Sequence, residues 1–260
     1  MSVKVKENLA VPNVNSGDKS NGVLMRCQYS DLVLLNFEVD PESLKPHVPN
    51  GLKLALYNDS CFVSLVAKRI SKVNYGGFIL PMMPFVHMGL RIYVRRQVGS
   101  TVRHGIYYLQ EYVQRKSVAS VLNWFFQSTP KVMKMKSENT GFHEADPAVM
   151  PNAMYRWQIN EQWNRVRVTG HSLLNTAAKE TKEQFVLDCR NMYYLRKNEL
   201  CECFSEHPPW VIWGAASGSF DCDTEALFGR DFVKPLRRRP ASVFLARGSD
   251  VSIYRPTVIN

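Results

Sequence analysis

The sequence predicts a mainly antiparallel α+β fold whose strands curl into a barrel. Three observations lead there. Most apolar segments are short and end in Gly, Pro, Asn or Asp, as strands do. Only 116–127 carries apolar residues at helical steps, with Val118, Val121, Leu122, Phe125 and Phe126 on one stripe. No alternation of strand and long helix repeats along the chain, so a parallel α/β sheet is not expected. Many strands leave many edges, and closing the sheet on itself hides them.

The elements follow in order. Residues 1–22 are polar, rich in Ser, Asn, Asp, Lys and Gly, and predict a disordered tail. A single domain then spans 23–260. "DLVLLNFEV" (31–39) predicts a buried strand. Asp40 and Pro41 open a short helix that Pro46 and Pro49 stop. Residues 52–70 predict a hairpin turning at Asn58-Asp59. "NYGGFILPMMPF" predicts an apolar loop that covers a cavity as a lid or wall. "LRIYVRRQV" and "RHGIYYLQEYV" predict two strands joined at Gly99-Ser100. After the helix at 116–127, the segments "AMYRWQIN", "WNRVRVTGH", "QFVLDCRNMYYLRKN" and "LCECFSEH" predict further strands. Asp223 caps a short helix over 223–229, and "ASVFLARGSDVSIYRP" predicts a hairpin at Gly248-Ser249.

Composition narrows the function classes. A chain of 260 residues can bury a substantial core. It has no apolar run of membrane-spanning length and no secretory h-region, so a cytoplasmic protein is expected. Its six cysteines are scattered, which predicts reduced thiols. The net charge of +10 is spread along the chain without a nucleic-acid reader motif, so no specific nucleic acid is expected. The expected partner is a small molecule, with no membrane, and a homo-oligomer is left open. No metal-ligand spacing, phosphate loop or nucleophile elbow is present, so neither metal nor cofactor is expected.

The remaining chemistry lies in charged residues on apolar strands: Arg91, Glu111, Arg115, Lys131 and Asp188, with Tyr193 beside them. Arg91 and Glu111 form either a structural ion pair or the wall of an anion-binding pocket, because an isolated buried charge is prohibitive. Lys131 shares a strand face with Met133 and Met135. It is either a strand-end lysine that snorkels to water or a desolvated amine able to form a Schiff base.

The stretches "YSDLVLLNFEVDPESLKPHVPNGLKLALYNDSCFVSLVAKRI", "LRIYVRR", "GIYYLQEYVQRKSVASVLNWFF" and "EHPPWVIWGA" resemble the YqjF-like family, as does the end from "DTEALFGRDF" to "SIYRP". The resemblance runs from about Met25 to Pro256. It implies an acetoacetate decarboxylase-like fold, an antiparallel barrel with an internal cavity. The decarboxylase uses a reactive lysine in a Pro-Lys-Lys stretch, and Pro130-Lys131 is similar, with Val132 in place of the second lysine. Arg91, Glu111 and Arg115 match the family pattern. Gly89, Ser128-Thr129-Pro130 and the stretch from Asp188 to Tyr193 depart from it.

Two functions follow as expectations. One is a lyase- or decarboxylase-like enzyme acting on a small keto acid, with Lys131 and Glu111 catalytic and Arg91, Arg115, Asp188 and Tyr193 binding substrate. The other is a non-catalytic small-molecule-binding protein that has lost the family's polar site residues.

Overall fold

The walls of the barrel are strands that are apolar on both faces, and this follows from what packs on each side of them. The computed structural model describes residues 17–126, 128–144, 146 and 148–259. The chain enters through β1 (Val23–Val39) and the short helix α1 (Pro41–Leu44), where the Asp40 side chain accepts from the Glu42 amide. Then come β2 (Lys53–Leu54), β3 (Cys61–Tyr75), β4 (Phe78–Ile79), β5 (Phe85–Val98) and β6 (Thr101–Val113). Helix α2 (Lys116–Phe126) leads to β7 (Lys131–Val132), β8 (Met135–Thr140), β9 (Asn152–Ile159) and β10 (Gln162–Asn175). Helix α3 (Lys182–Leu187) precedes β11 (Asn191–Arg196), β12 (Glu199–Glu206) and β13 (Ile212–Asp221). Helices α4 (Thr224–Phe228) and α5 (Val233–Leu236), then β14 (Ser242–Tyr254) and β15 (Thr257–Val258), complete it.

The strand order β12-β11-β6-β5-β3-β1-β14 closes on itself because Ser205 and Glu206 of β12 pair with Ile253 and Ser252 of β14. From β14 the sheet also continues outward as β13-β10-β9-β8. This second wing lies against the outside of the barrel wall. One core forms between them: Val33, Leu35 and Phe37 of β1, Val63 and Leu65 of β3, and Leu90 and Ile92 of β5 meet Tyr155 and Trp157 of β9. The opposite faces of β1, β3 and β5 point into the barrel, where Leu34, Phe62, Val66 and Tyr93 pack with Phe185 and Val186 of α3. Strands covered on both sides show no apolar–polar alternation.

A bulge sets what β6 presents to the interior. Leu90 of β5 faces Gln110, and Arg91 faces Tyr108, so Leu109 has no partner and the pleat of β6 changes phase there. Tyr108 before the bulge and Glu111 after it therefore share the interior face with His87 and Arg91 of β5. Tyr112 turns to the other core and hydrogen-bonds to the Leu227 carbonyl.

Four sequence expectations are corrected. Residues 52–70 are not a hairpin: β2 pairs with β5, and only Tyr57 and Ser60 bridge across the turn. The stretch "QFVLDCRNMYYLRKN" is helix α3 followed by β11, because Thr181 caps the Gln184 amide and starts a turn. Gly248 does not turn a hairpin but bends one continuous strand, β14, whose early residues pair with β13 and whose late residues pair with β12. The 74–85 loop does not cover the cavity described below. Its tip is exposed, with Phe78 at 77%, while Leu80 and Met82 pack on the core. Of the expected N-terminal tail, residues 1–16 lie outside the described residues. Residues 17–22 sit against the barrel through Lys19–Glu206 and Asn21–Thr257 contacts.

The helix at 116–126 is as expected in extent, with Val118 and Phe126 buried; the side chain of Phe125 lies outside the described residues.

The Gly248 bend gives the first prediction. Gly248 has φ +83°, and a Cβ there would lie 2.2 Å from the Tyr29 carbonyl oxygen. Gly248→Ala should destabilise the protein by about 2 kcal/mol or more, from left-handed strain and the clash. Urea unfolding measures this; a loss below about 0.5 kcal/mol would mean that the bend moves at little cost.

Candidate functional site

A cavity of about 330 Å³ opens within the barrel between β3, β5, β6, β11 and the end of α2. Its polar wall is built on three neighbouring strands. Lys68 of β3 lies directly across from His87 of β5, and the bulge brings Glu111 of β6 to the same face. His87 Nε2 lies 2.9 Å from Glu111 Oε1, and the Ser128 hydroxyl donates to Glu111 Oε2 at 3.0 Å. Most of the remaining lining is apolar: Met25, Ile70, Leu122, Phe126, Met192 and Ile253. Thr129 and Leu195 line it too and are exposed, which puts the mouth beside them.

The electrostatics follow from burial. Lys68 is 7% exposed, and burial with the nearby Arg91 charge pushes its amine down to about 8. The face of the Tyr29 ring lies 3.9 Å from Lys68 Nζ and stabilises the charged form in part. Burial pushes His87 below the ordinary imidazole value, so the ring is neutral at neutral pH. Burial alone would raise Glu111, but hydrogen bonds from His87 and Ser128 and the Lys68 charge hold it below the usual carboxylate value. A neutral His87 that donates from Nε2 to this carboxylate keeps its lone pair on Nδ1, which is buried and has no partner among the described residues.

The residues singled out from sequence fall in different places. Glu111 and Tyr193 line the cavity, with the Tyr193 hydroxyl held by Glu202 at 2.8 Å. Arg91 is buried on the interior face but does not pair with Glu111. It donates to the Val186 carbonyl at 2.6 Å and to the Tyr93 hydroxyl at 3.3 Å, so the expected ion pair is corrected to a backbone-anchored guanidinium. Arg115 reaches the Met83 carbonyl and Asp188 pairs with Arg190; neither is part of the cavity lining. Lys131 is exposed on the two-residue strand β7, outside the lining. The chain leaves strand geometry at Met133, so Lys131 and Met135 do not share one pleated face. Helix α2 gives Leu122 and Phe126 of its apolar stripe to the cavity.

Sequence reasoning missed Lys68 and His87. The signal was a lysine and a histidine set inside apolar strand runs, "SLVAKRI" and "FVHMGL". Among the described residues no group of three or more His, Cys, Asp or Glu side chains could hold a metal ion, and all six cysteines are free. No helix among them is long and apolar enough to cross a membrane.

A pH prediction follows from Lys68. Its amine lies at 10.5 when unfolded and at about 8 when folded. Between those values the unfolded chain holds the proton that the folded chain has released, so stability rises with pH across that window. Below pH 8 the buried charge costs on the order of 3 kcal/mol. Lys68→Met should therefore be more stable than the wild type at pH 7, with the gap closing between pH 8 and 10.5. Urea unfolding of both proteins across that range measures it; a constant gap would show that Lys68 titrates as an exposed lysine.

Solved structures share the fold. An acetoacetate decarboxylase from Legionella pneumophila superposes with a TM-score of 0.65 at 13% identity, covering 91% of this chain and 87% of its own. An acetoacetate decarboxylase-like enzyme from Sphingomonas wittichii RW1 gives 0.62 at 13% identity over 92% and 94%. The enduracididine biosynthesis enzyme MppR, complexed with the condensation product of pyruvate and imidazole 4-carboxaldehyde, gives 0.59 at 10% identity over 99% and 97%. The fold is thus the acetoacetate decarboxylase-like barrel. In sequence, the uncharacterised protein YqjF of Bacillus subtilis (strain 168) is 22% identical over 192 residues, 74% of this chain and 76% of that protein. The model of DUF2071, described as an uncharacterised conserved protein, matches residues 26–250, and the chain belongs to that family.

Proposed function

We propose that the cavity binds a small carbonyl-containing molecule and that Lys68 forms an imine with it, as in a lyase- or aldolase-like enzyme. The observation that carries this reading is a buried lysine whose amine lies near 8, set beside a neutral imidazole and a carboxylate in a cavity. At pH 7 about one Lys68 amine in ten is unprotonated, against fewer than one in a thousand for a free lysine. The neutral Nζ attacks the carbonyl carbon. The proton it sheds passes to His87 Nδ1, and the imidazolium so formed is held by Glu111. That proton goes to the carbonyl oxygen and gives the carbinolamine; the remaining Nζ proton follows the same route through His87 to the hydroxyl, which leaves as water, and the imine nitrogen takes up a proton from solvent. The fold neighbours named as decarboxylases, and the carbonyl condensation product held by another, support carbonyl chemistry here.

The Tyr29 ring against Lys68 Nζ favours a second reading, a binding protein that keeps the amine charged and does no chemistry. Borohydride separates the two. The protein is incubated with acetone, pyruvate and nonan-2-one in turn, reduced, and mapped by mass spectrometry. The enzyme reading expects an adduct on Lys68 with at least one carbonyl compound, lost in Lys68→Met and unchanged in Lys131→Ala. No adduct on Lys68 with any of them leaves the binding protein.

His87→Ala keeps the amine but removes the proton carrier. Imine formation should slow by about 10²–10³-fold, with the ligand still bound. An unchanged rate would remove His87 from the chemistry.

A further inference from the structure

We propose that the ligand of this cavity is an apolar methyl ketone or aldehyde that carries no carboxylate, a substrate class unlike a keto acid. The inference rests on the carbonyl reading above for its polar end and on the rest of the wall for its substance.

The charge balance of the wall is the first argument. Lys68 is the lining cation among the described residues, and Glu111 is the matching anion on the same face. His87 is neutral. Arg91 is not part of the lining, and its Nη2 donates to the Val186 carbonyl and the Tyr93 hydroxyl. A keto acid would add a second negative charge beside Glu111 with no further lining cation to meet it. A buried charge without a partner is strongly unfavourable. A neutral carbonyl compound leaves the pair balanced before the imine forms, and the protonated imine then stands in for the ammonium facing Glu111.

The second argument is the remaining surface. Apart from the polar groups, the lining residues Met25, Ile70, Leu122, Phe126, Met192 and Ile253 belong to one apolar cluster. Burying a methylene there contributes about 0.8 kcal/mol. With ~30 Å³ for each water-sized group, 330 Å³ holds roughly ten non-hydrogen groups, several more than a three-carbon keto acid supplies. Tyr194 lines the cavity, and its buried hydroxyl, without a partner among the described residues, can donate to the oxygen of a neutral ligand.

A matched pair of ligands tests this. Nonan-2-one and 2-oxononanoate carry the same alkyl chain and differ by a methyl group against a carboxylate. Calorimetry on the full chain at pH 7 reads binding whether or not an imine forms, and borohydride capture on Lys68 is scored separately. The expected result is that nonan-2-one binds at least tenfold more tightly than 2-oxononanoate and than acetone. Leu122→Asp, on the half-buried helix face, should abolish the ketone binding and so locate it in this cavity. The inference is overturned if 2-oxononanoate binds as tightly as the ketone, if neither binds, or if ketone binding survives Leu122→Asp. Tight ketone binding without any adduct would sink the imine reading and leave the ligand class standing. An adduct formed from pyruvate in preference to the ketone would do the reverse.

Discussion

Between the pairings Gly89–Glu111 and Arg91–Tyr108, strand β6 sets four residues against three of β5. The extra residue, Leu109, decides which side of the sheet each later side chain of β6 meets. Were Leu109 taken into a regular ladder instead of bulged out of it, Glu111 would share a face with Tyr107 and point away from the barrel interior. His87 would then be buried without its carboxylate, and Ser128 would have no acceptor there. The polar wall of the cavity is therefore a consequence of register. Each of its groups is held by a neighbour on the next strand: Lys68 across from His87, and His87 bonded to Glu111. Gly89 belongs to the same arrangement. A Cβ there would lie 2.7 Å from the Tyr108 ring, so the space beside the bulge is already filled by that ring.

Closure of the barrel places a second demand on charge. Glu202 of β12 is buried and accepts from Arg96 at 3.0 Å, from Arg103 at 2.7 Å and from the Tyr193 hydroxyl. Arg96 and Arg103 face one another across β5 and β6, so one carboxylate fastens two barrel strands to β12. A buried carboxylate with several charge-assisted donors is well compensated. The contrast with the cavity is instructive. At Glu202 every ionic group has a partner and nothing is left for a ligand. At Lys68 the amine has a ring face and, among the described residues, no salt bridge, and His87 Nδ1 and Tyr194 keep unused hydrogen-bonding capacity.

Much of the fold was legible because strand punctuation and helical period are local properties. The capped helix at Asp40, the turn at Gly99 and helix α2 were read from a few neighbouring residues. The site was less legible, for two physical reasons. β3 and β5 are covered on both faces, so their sequences show no alternation, and Lys68 could not be assigned to the interior by pattern. Register is also invisible in one sequence. Arg91 and Glu111 were rightly found as charges on apolar strands, but their partners depend on the bulge at Leu109 and on α3, whose Val186 carbonyl takes the guanidinium. The Pro130-Lys131 likeness misled because it matched residue type while the pleat was broken two residues later. Gly248 was read as a turn because it marks positive φ, but positive φ also serves a bend in a strand shared by the barrel and the outer wing of one sheet.

Arg91 lies outside the cavity lining and spends its guanidinium on the Val186 carbonyl and the Tyr93 hydroxyl, so among the described residues the wall itself carries one cation, Lys68, for one carboxylate, Glu111, and the buried ammonium is the point at which the sequence departs from what stability alone favours. A methionine at 68 would fit an apolar strand without the cost of a buried ammonium, and the surrounding Val66 and Ile70 show that the strand tolerates such residues. Arg91 makes the cost greater, because its charge repels the amine. Both residues lie on the face that holds the cavity, and neither closes the barrel. A polar group kept where an apolar one would stabilise, beside a hydrogen-bonding atom left without a partner, is the pattern of a site kept for what it binds. The second wing of the sheet makes that cost bearable. It gives β1, β3 and β5 a complete apolar core on their outer faces, so the barrel wall is held from outside while its inner face carries charge.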